Sequence, residues 1–516
     1  MQSFLARHQS EIKGTLSGFD RVRFRGTLRW LANVSGLGAW LFHAGVLLKQ
    51  FKDYAMGLTE TIRESTRRIA EATERPLQYV ASSVQRKEDL AREIAARDGV
   101  TTVLVCVLSC VEPCLTFTVG PNRARKKLEL RKQHGKCLHD YFYLIDPKLG
   151  WLNVRLQTWF PFTVHVVING REWLARDLIR NNIPFERREN CFTDIADPAA
   201  AQRLLERQRR TNWSRELDRL LRGVHPAHRT LFGEDRLDYY WSADETEWAT
   251  DVLFHSQDDL ARLYPRLVRH ALTTFGSGDV LRFLGKRPCV QKFTAAEIVS
   301  HLATRPEGVR LKHALDRNSV KMYDKQQSVL RVETTINQTR SMKVYRAREN
   351  DPAGPKSWQK LRKGVADLHR RAEISQKSNE RYLDALGSVE TPVTLAESTA
   401  GVCRPTKWHG RPVRALNPLA EADAALLQAV ARGEFAINGF RNRDLRALLF
   451  AADTTLTEKQ QMTRTTRLLR LLRAHRLVRK IAKTHRYVLS PQGRQTITAL
   501  LNARAANLQQ LTALAA

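Results

Sequence analysis

The sequence predicts an α+β protein of several domains, with a mixed or antiparallel sheet in its N-terminal body. Its 516 residues correspond to about three or four domains, at roughly 100 to 200 residues each. Hydrophobic residues make up 42% of the chain, which is typical of folded cores and excludes a disordered basic tail. Strand-type alternation dominates much of the N-terminal third, whereas helical spacing dominates the middle and the C-terminal end.

The net charge is the strongest functional signal. Lysine and arginine number 85 against 53 aspartate and glutamate residues, which leaves a formal charge of +32. A positive field of this size favours a polyanionic partner, so we expect the protein to bind nucleic acid, either DNA or structured RNA.

The remaining composition predicts a cytoplasmic protein without a membrane partner. The uncharged run 30–48 contains Asn33, Ser35, His43 and three glycines, so it lacks the continuous apolar character of a bilayer helix. Seven scattered cysteines without a secretory leader favour free thiols in a reducing compartment. Whether the chain forms a homodimer stays open.

Residues 1–198 are predicted to form a basic α+β domain that handles nucleic acid. Val22 and Phe24 alternate with arginines over 18–28, which predicts a strand with a basic exposed face. Residues 123–136 hold seven basic residues against Glu129 and predict a basic loop or hairpin. The aromatic-rich meander that follows could stack unpaired bases beside these cations, although most of its aromatic residues are expected in the core. The candidate nucleic-acid-binding residues here are Arg123, Arg125, Lys126, Lys127, Arg131 and Lys132.

Residues 199–350 are predicted to be largely helical, with an acidic island and a small β-meander. The island at 234–259 contains nine carboxylates and one basic residue, Arg236. Three β-type runs then follow at 309–315, 318–325 and 328–336. Residues 351–420 are predicted to form a basic helix and a linker rich in Thr, Ser, Pro and Gly.

Residues 421–516 predict a separate domain of three helices followed by a basic β-hairpin and a last helix. The third helix places leucines toward a core and carries arginines three residues apart at 464, 467 and 470. Ten Lys or Arg residues and no acid lie within 461–494.

This order resembles the winged helix-turn-helix, and the segment RLLRLLRAHRLVRKIAKTHRYVLSPQGR is similar to the recognition helix and wing of MarR-like bacterial regulators. The resemblance covers about a sixth of the chain. It implies a third helix in the DNA major groove and a wing along the adjacent phosphates or minor groove. It implies that the DNA-facing residues are Arg464, Arg467 and Arg470 from the helix and Lys483, His485 and Arg486 from the wing. A winged helix used only for protein contacts is the alternative.

A second hypothesis is metal-dependent cleavage of nucleic acid, which requires two or three carboxylates on neighbouring strands to hold Mg²⁺. The candidates, each in or at the end of a predicted strand, are Asp20, Glu112, Asp146 and Glu333. Glu112 interrupts an apolar strand, which is costly unless the carboxylate is paired or ligated, and with Asp146 it would bind the metal. Each carboxylate has an alternative role as a turn residue or an arginine partner.

Cys106, Cys110 and Cys114 alternate along one predicted strand, and Cys137 and His139 follow. Zinc is conceivable at such residues. Their spacing fits no strong zinc-finger pattern, however, so core packing is the favoured interpretation.

The segment from Tyr323 to Glu333 resembles part of the replication initiators of filamentous phages and plasmids, which nick DNA with a tyrosine beside a histidine pair. The resemblance implies Tyr323 as a nucleophile. The best strand for the histidines offers His165 alone, where that mechanism needs two.

Taken together, the sequence favours a nucleic-acid-binding protein of mobile-element type, with a nuclease, transposase or replication initiator as its enzymatic version and Mg²⁺ as the cofactor of that version. The alternative is a non-catalytic binder, either the RNA-binding protein of a ribonucleoprotein or a DNA-binding transcriptional regulator. Neither a G-x-x-x-x-G-K-[ST] loop nor a credible H-E-x-x-H motif occurs, which argues against an ATPase or a zincin.

Overall fold

The structure, a computed structural model, describes residues 1–81, 86–235, 237–285, 298–306, 308–348, 350–387, 395–432, 435, 439–451, 455–482 and 484–505. The chain divides into two compact units. The first comprises Met1–Val268, Phe283–Lys286 and Glu297–Ala385, and the second comprises Arg269–Arg282, Arg287–Ala296 and Leu386–Ala516.

The first unit is built on one mixed sheet that has eleven strands within the described residues. Their spatial order is β10-β11-β12-β13-β9-β1-β6-β5-β4-β3-β2, and every pairing is antiparallel except that of β2 with β3. Two small hairpins, β7–β8 and β14–β15, lie outside this sheet. The strands are β1 Ile12–Leu28, β2 Leu77–Tyr79, β3 Val103–Asn122, β4 Lys127–Asp146, β5 Gly150–Gln157, β6 Val164–Asn169, β7 Phe185–Arg188, β8 Cys191–Ile195, β9 Tyr239–Phe254, β10 Ile298–Arg305, β11 Gly308–Leu315, β12 Asn318–Lys325, β13 Val329–Ile336, β14 Lys343–Arg346 and β15 Ser357–Lys360.

Helices cover the sheet and bury its apolar side chains. Val22 and Phe24 of β1 are buried while Arg21, Arg23 and Arg25 are exposed, which confirms the alternation predicted for this strand. The helices up to residue 386 are α1 Gln2–Arg7, α2 Val34–His43, α3 Phe51–Ala72, α4 Lys87–Arg97, α5 Gly170–Arg180, α6 Pro198–Arg209, α7 Trp213–Val224, α8 Gln257–Thr274, α9 Ser277–Phe283 and α10 Leu368–Leu386, and of these α9 falls almost wholly in the second unit.

Two halves of the sheet share a common pattern of a long strand, a helix and a four-stranded meander, and the first half holds α2, β2 and α4 in addition. Strand β1, helix α3 and the meander β3–β6 correspond to strand β9, helix α8 and the meander β10–β13. In each half the last strand of the meander returns beside the first strand, and β1 pairs antiparallel with β9 at the centre. The two meanders therefore extend outward from the β1–β9 pair in opposite directions.

The predicted boundary near residue 198 does not separate two sheets. The strands expected at 309–336 form as β11, β12 and β13, but they join the sheet of residues 1–198 through β9. The acidic island, expected within a helical region, contains the 16-residue strand β9. Its carboxylates are tolerated in a central strand because arginine and lysine side chains from neighbouring strands pair with them.

The second unit contains the helices and hairpin predicted for the C-terminal end. Its core includes Leu426, Leu445, Leu469, Leu472 and Ile497. A bridge between Phe440 and Tyr487 lies beside the β18–β19 hairpin. The remaining elements are α11 Leu395–Ala400, β16 Thr406–Trp408, β17 Arg411–Val413, α12 Glu421–Ala431, α13 Asn442–Leu449, α14 Glu458–Ala474, β18 Val478–Lys480, β19 Tyr487–Leu489 and α15 Pro491–Ala505.

No helix within the described ranges is both long enough and apolar enough to cross a lipid bilayer.

Candidate nucleic-acid interface

The hairpin of β3 and β4 extends well past its neighbours in the sheet. The two strands pair without a break from Cys110 opposite His139 to Asn122 opposite Lys127, whereas β5 pairs with β4 only from His139 onward. At about 3.4 Å per residue, the twelve residues from 127 to 138 reach on the order of 40 Å beyond β5. We call residues 119–136, which include the turn, the basic arm.

The arm carries the cations that the sequence predicted, and all six are exposed. Three of them make local contacts. A guanidinium N–H of Arg131 donates to the carbonyl oxygen of Pro121 at 2.8 Å, Lys132 donates to the carbonyl oxygen of Ala32, and Arg125 lies 3.5 Å from Glu129. Arg123, Lys126 and Lys127 make no ion pair with any residue that the structure describes. The end of the arm is therefore strongly positive, with Glu129 as the one acidic residue of the arm.

A second exposed surface lies on the hairpin of β14 and β15. Tyr345 and Trp358 are direct cross-strand partners, 60% and 66% exposed, with ring centroids 5.7 Å apart. Lys343 and Lys360 are also direct partners on the same exposed face. Directly opposed like charges destabilise a strand pair. We call Tyr345 and Trp358 the aromatic pair.

Sequence reasoning missed the aromatic pair. The signal was present, because Lys343-Val-Tyr345 and Trp358-Gln-Lys360 place an aromatic residue two positions from a lysine in each strand. On a strand, residues two apart share a face. What the sequence could not indicate is that the two segments pair with each other and leave their rings in solvent.

Helix α14 presents the predicted arginine stripe to solvent. Arg464, Arg467 and Arg470 are exposed, and they make no ion pair within the described part of the chain. Leu469 and Leu472 are buried on the opposite side, as the helical spacing predicted. Thr457 caps the helix by accepting a hydrogen bond from the backbone N–H of Gln460.

The hairpin after α14 carries the remaining predicted contacts. His485 is exposed and Arg486 is half-buried. Arg479 and Lys480 of β18 are exposed as well and add two cations that were not singled out from the sequence. The predicted contact Lys483 lies outside the described residues.

Glu112 is held by an ion-pair network at the edge of the sheet. Its carboxylate lies 2.7 Å from Lys87 and 3.0 Å from Arg155, and the hydroxyl of Tyr141 donates to it at 2.6 Å. Burial opposes the charge, but the hydrogen bonds from Lys87 and Tyr141 outweigh it and lower the pKa of the carboxyl. These contacts with Lys87, Arg155 and Tyr141 offset the desolvation cost of placing the Glu112 carboxylate in an apolar strand.

Asp146 acts as a turn residue at the end of β4. Its carboxylate accepts hydrogen bonds from the backbone N–H groups of Lys148 and Leu149, both at 2.9 Å, and pairs with Arg219 at 2.9 Å. Glu112 lies opposite Cys137 in the β3–β4 hairpin. Asp146 is nine residues further along β4 than Cys137, a distance of about 30 Å along the strand. The structure therefore does not bring Glu112 and Asp146 together.

Asp20 and Glu333 do converge, and they meet Glu247. One carboxylate oxygen from each lies within 4.8 Å of the others, on the adjacent strands β1, β9 and β13. We call these three residues the carboxylate cluster. Glu247 belongs to the acidic island, and its alternation with Glu245 was a strand signal that the charge of the segment obscured.

Basic side chains surround the carboxylate cluster. The Nζ atom of Lys321 lies 3.1 Å from Glu247 and 2.6 Å from Glu333. Burial disfavours the charged form of Lys321, but the two glutamates outweigh it and raise the pKa of the ammonium group. Arg331 reaches Asp20 at 3.1 Å.

Behind the cluster lies a fully buried ion pair. Arg331 contacts Asp251 at 2.6 Å, and Arg171 contacts the same carboxylate at 2.8 Å. Burial alone would raise the pKa of Asp251, but Arg171 and Arg331 outweigh burial and hold it below its usual range. Cations and carboxylates are thus matched within this part of the sheet.

Tyr323 is buried on β12 and is not placed for a nicking reaction with His165. Three strands, β13, β9 and β1, lie between β12 and β6, which holds His165. At about 4.8 Å per strand the separation is about 19 Å. Burial also raises the pKa of the Tyr323 hydroxyl, which weakens it as a nucleophile.

Comparisons with known proteins give no family for this chain. No protein-family model, no curated protein and no solved structure matches it.

Proposed function

We propose that this protein binds nucleic acid through the basic arm. The observation that carries the proposal is the exposed end of the arm, where Arg123, Lys126 and Lys127 have no ion-pair partner within the described residues. Lysine and arginine that lack protein partners can neutralise phosphates and release condensed counterions. Elsewhere in the first unit many arginines already pair with carboxylates, so the arm is the favoured contact for a polyanion.

The aromatic pair supports contact with unpaired bases. Exposed tyrosine and tryptophan rings beside lysines combine a stacking surface with phosphate contacts, which is how many proteins bind single strands. A phosphate between Lys343 and Lys360 would relieve the repulsion of these directly opposed cations. A duplex, whose bases are already stacked, would not use these rings.

We further propose that residues 421–505 form a winged helix. Helices α12, α13 and α14 are followed by the β18–β19 hairpin, and Phe440 makes an isolated antiparallel bridge to Tyr487 of β19. This order supports the resemblance drawn from the sequence. The exposed stripe of Arg464, Arg467 and Arg470 is the expected contact with the duplex.

The proposal is tested with the full-length protein and three labelled probes: duplex DNA, single-stranded DNA and an RNA hairpin. Arg123→Gln, Lys126→Gln and Lys127→Gln are combined in one variant, the arm variant. A matched control combines Arg63→Gln, Arg67→Gln and Arg68→Gln, which removes the same charge from exposed residues that pair with Glu60 and Glu64. Fluorescence anisotropy should show weaker binding by the arm variant alone. Equal affinity of the two variants would contradict the proposal.

The nucleic acid that copurifies from cells separates the kinds of binder. A defined structured RNA would favour the protein subunit of a ribonucleoprotein. A specific DNA sequence would favour a transcriptional regulator, and the ends of a mobile element would favour a transposase or replication initiator.

A Mg²⁺-dependent nuclease is the second candidate, favoured by the convergence of Asp20, Glu247 and Glu333. Three carboxylates suit Mg²⁺ in number and chemistry. The arrangement does not fit the ion, however, because the ammonium group of Lys321 contacts both Glu247 and Glu333. The cluster is neutralised within the protein, and we therefore assign it no step of cleavage.

Glu333→Gln tests this second candidate, with Glu112→Gln as the control carboxylate outside the cluster. Cleavage of supercoiled DNA, single-stranded DNA or RNA that needs Mg²⁺ and is lost only in Glu333→Gln would establish the nuclease. A wild-type protein that is inert on all three with Mg²⁺ and with Mn²⁺ would leave the protein a binder.

A further inference from the structure

Cys114, Cys137 and His139 meet where the basic arm leaves the sheet. One ligand atom from each lies within 4.8 Å of the other two. The Sγ atoms of Cys114 and Cys137 are 3.1 Å apart, and Sγ of Cys137 is 4.0 Å from Nδ1 of His139. His139 is buried, whereas both cysteines are partly exposed, so the group opens toward solvent.

The three atoms are close to the spacing that a tetrahedral zinc ion requires. With Zn–S bonds of about 2.3 Å and a Zn–N bond of about 2.0 Å, the sulfur atoms must lie about 3.8 Å apart and each sulfur about 3.5 Å from the nitrogen. The observed 3.1 and 4.0 Å differ from these values in opposite directions. Small side-chain rotations would bring all three atoms to one ion.

The strand register argues against a disulfide between the two cysteines. Cys137 pairs with Glu112, and Cys114 pairs with Gly135, so the cysteines are diagonal neighbours across β3 and β4. Diagonal neighbours are about 7 to 8 Å apart on an antiparallel pair, which exceeds the usual Cα separation of a disulfide. A metal ion spans such a pair without moving the backbone.

The three groups must lose protons to bind an ion. Nδ1 of His139 lies 3.2 Å from the carbonyl oxygen of Cys137, which accepts a hydrogen bond from it, so zinc would replace this hydrogen bond. Zinc binds thiolate and neutral imidazole, so ion binding would displace thiol protons to solvent and affinity should fall as the pH is lowered.

We propose that Cys114, Cys137 and His139 bind one zinc ion, with the fourth position open to water or an external ligand. The ion would join β3 to β4 just beyond the last residue pair that β5 supports, because β4 pairs with β5 only from His139 onward while Cys137 and Cys114 lie on the arm side of that pair. It would thereby fix the direction in which the arm leaves the sheet. Only this last role rests on the proposed function of the arm, while the site stands without it.

The experiment measures metal on full-length protein purified without a polyhistidine tag. Elemental analysis after zinc addition and desalting should give about one zinc per chain. Titration with Co²⁺ should give a thiolate-to-cobalt charge-transfer band and the visible bands of a tetrahedral ion. Cys114→Ser, Cys137→Ser and His139→Gln should each weaken zinc binding by more than roughly tenfold, because each removes a ligand. Cys191→Ser and Cys403→Ser, which alter a buried and an exposed cysteine elsewhere, should not.

Each outcome decides the proposal. Wild-type protein that takes up no zinc and shows no cobalt bands would overturn it, as would ligand variants that bind like the wild type. Reactive thiols are also counted in protein that is prepared without reductant and then unfolded. A count two below the full number, restored by reductant, would identify a disulfide and would also overturn the proposal. Circular dichroism of each variant shows whether weaker zinc binding results from the missing ligand or from unfolding. If both serine variants are unfolded, His139→Gln provides the test. Zinc binding without nucleic-acid binding would sustain the site and contradict only the function of the arm.

Discussion

The basic arm and the carboxylate cluster are both rich in Arg and Lys, but the cations have different neighbours. In the cluster, Lys321 and Arg331 contact Glu247, Glu333 and Asp20 within about 3 Å. At the end of the arm the cations meet one acid, Glu129, and face solvent. The difference teaches that a cation count alone does not identify an interface. Paired and buried charges contribute to the fold, whereas exposed charges without partners are available to another molecule.

The largest effect is expected from breaking the buried pair behind the cluster. Arg331→Met removes the side chain that contacts both Asp251 and Asp20, which leaves carboxylates buried with too few cations. We expect the free energy of unfolding to fall by about 3 to 5 kcal/mol. Urea denaturation of this variant and of the arm variant provides the comparison. If the free energy of unfolding falls no further in Arg331→Met than in the arm variant, the buried ion pair does not stabilise the fold.

The aromatic pair should distinguish single strands from duplexes. Tyr345→Ala combined with Trp358→Ala removes the stacking surface, and stacking contributes about 1 to 3 kcal/mol per base. We therefore expect the affinity for single-stranded DNA to fall by about 5- to 150-fold. Duplex affinity is the internal control and should change little. Equal losses on both probes would indicate that the rings support the fold of the hairpin instead.

Charge reversal on helix α14 should weaken duplex binding. Arg464→Glu combined with Arg467→Glu replaces two exposed cations with anions that phosphates repel. A loss of about tenfold or more in duplex affinity at low salt is expected from the lost phosphate contacts. Arg404→Glu combined with Arg411→Glu reverses exposed charges outside this helix and serves as the control. Unchanged affinity in the α14 variant would make this domain a protein-interaction module.

The smallest effect is a difference in the slope of stability against pH under acidic conditions. Asp251→Asn also breaks the buried pair with Arg171 and Arg331, so its free energy of unfolding is already lower at neutral pH, and only the slope is compared. Because the pKa of Asp251 is lowered in the folded state, its contribution to stability is present above about pH 4 and is lost as the pH falls further. The free energy of unfolding should therefore fall less steeply below about pH 4 in Asp251→Asn than in the wild type. Asp140 provides the opposite case, since burial raises its pKa despite hydrogen bonds from Ser109 and Thr66. Asp140→Asn should show the steeper fall, because the raised pKa favours the folded state as the pH is lowered.

The sequence predicted the local structure better than the long-range arrangement. Alternation at Val22 and Phe24 was sufficient for β1, and leucines at helical spacing were sufficient for α14. Period-two alternation cannot indicate which strand lies beside which, so the β11–β13 meander was predicted within residues 199–350, in a different domain from β1, although the two share one sheet. Strand β9 was missed because its carboxylates resembled a solvated segment, and their partners come from distant parts of the chain.

The same limit applies to the candidate sites. The cations of the arm could be predicted because they lie within ten residues of one another along the chain and need no distant partner. Glu112 is unusual within its own strand, but its partners Lys87 and Arg155 lie on a helix and on another strand. Glu247 and the aromatic pair depend on pairings between segments, which local patterns do not encode.

The salt dependence of binding tests the central claim most directly. Each phosphate contact on a duplex contributes a slope of roughly −0.9 to the logarithm of the binding constant against the logarithm of salt concentration. We predict that neutralising Arg123, Lys126 and Lys127 flattens the slope by about 2 to 3 units, while the matched control keeps the wild-type slope. The same slope in the wild type and the arm variant would contradict the account, because the arm would then make no contact with the phosphates.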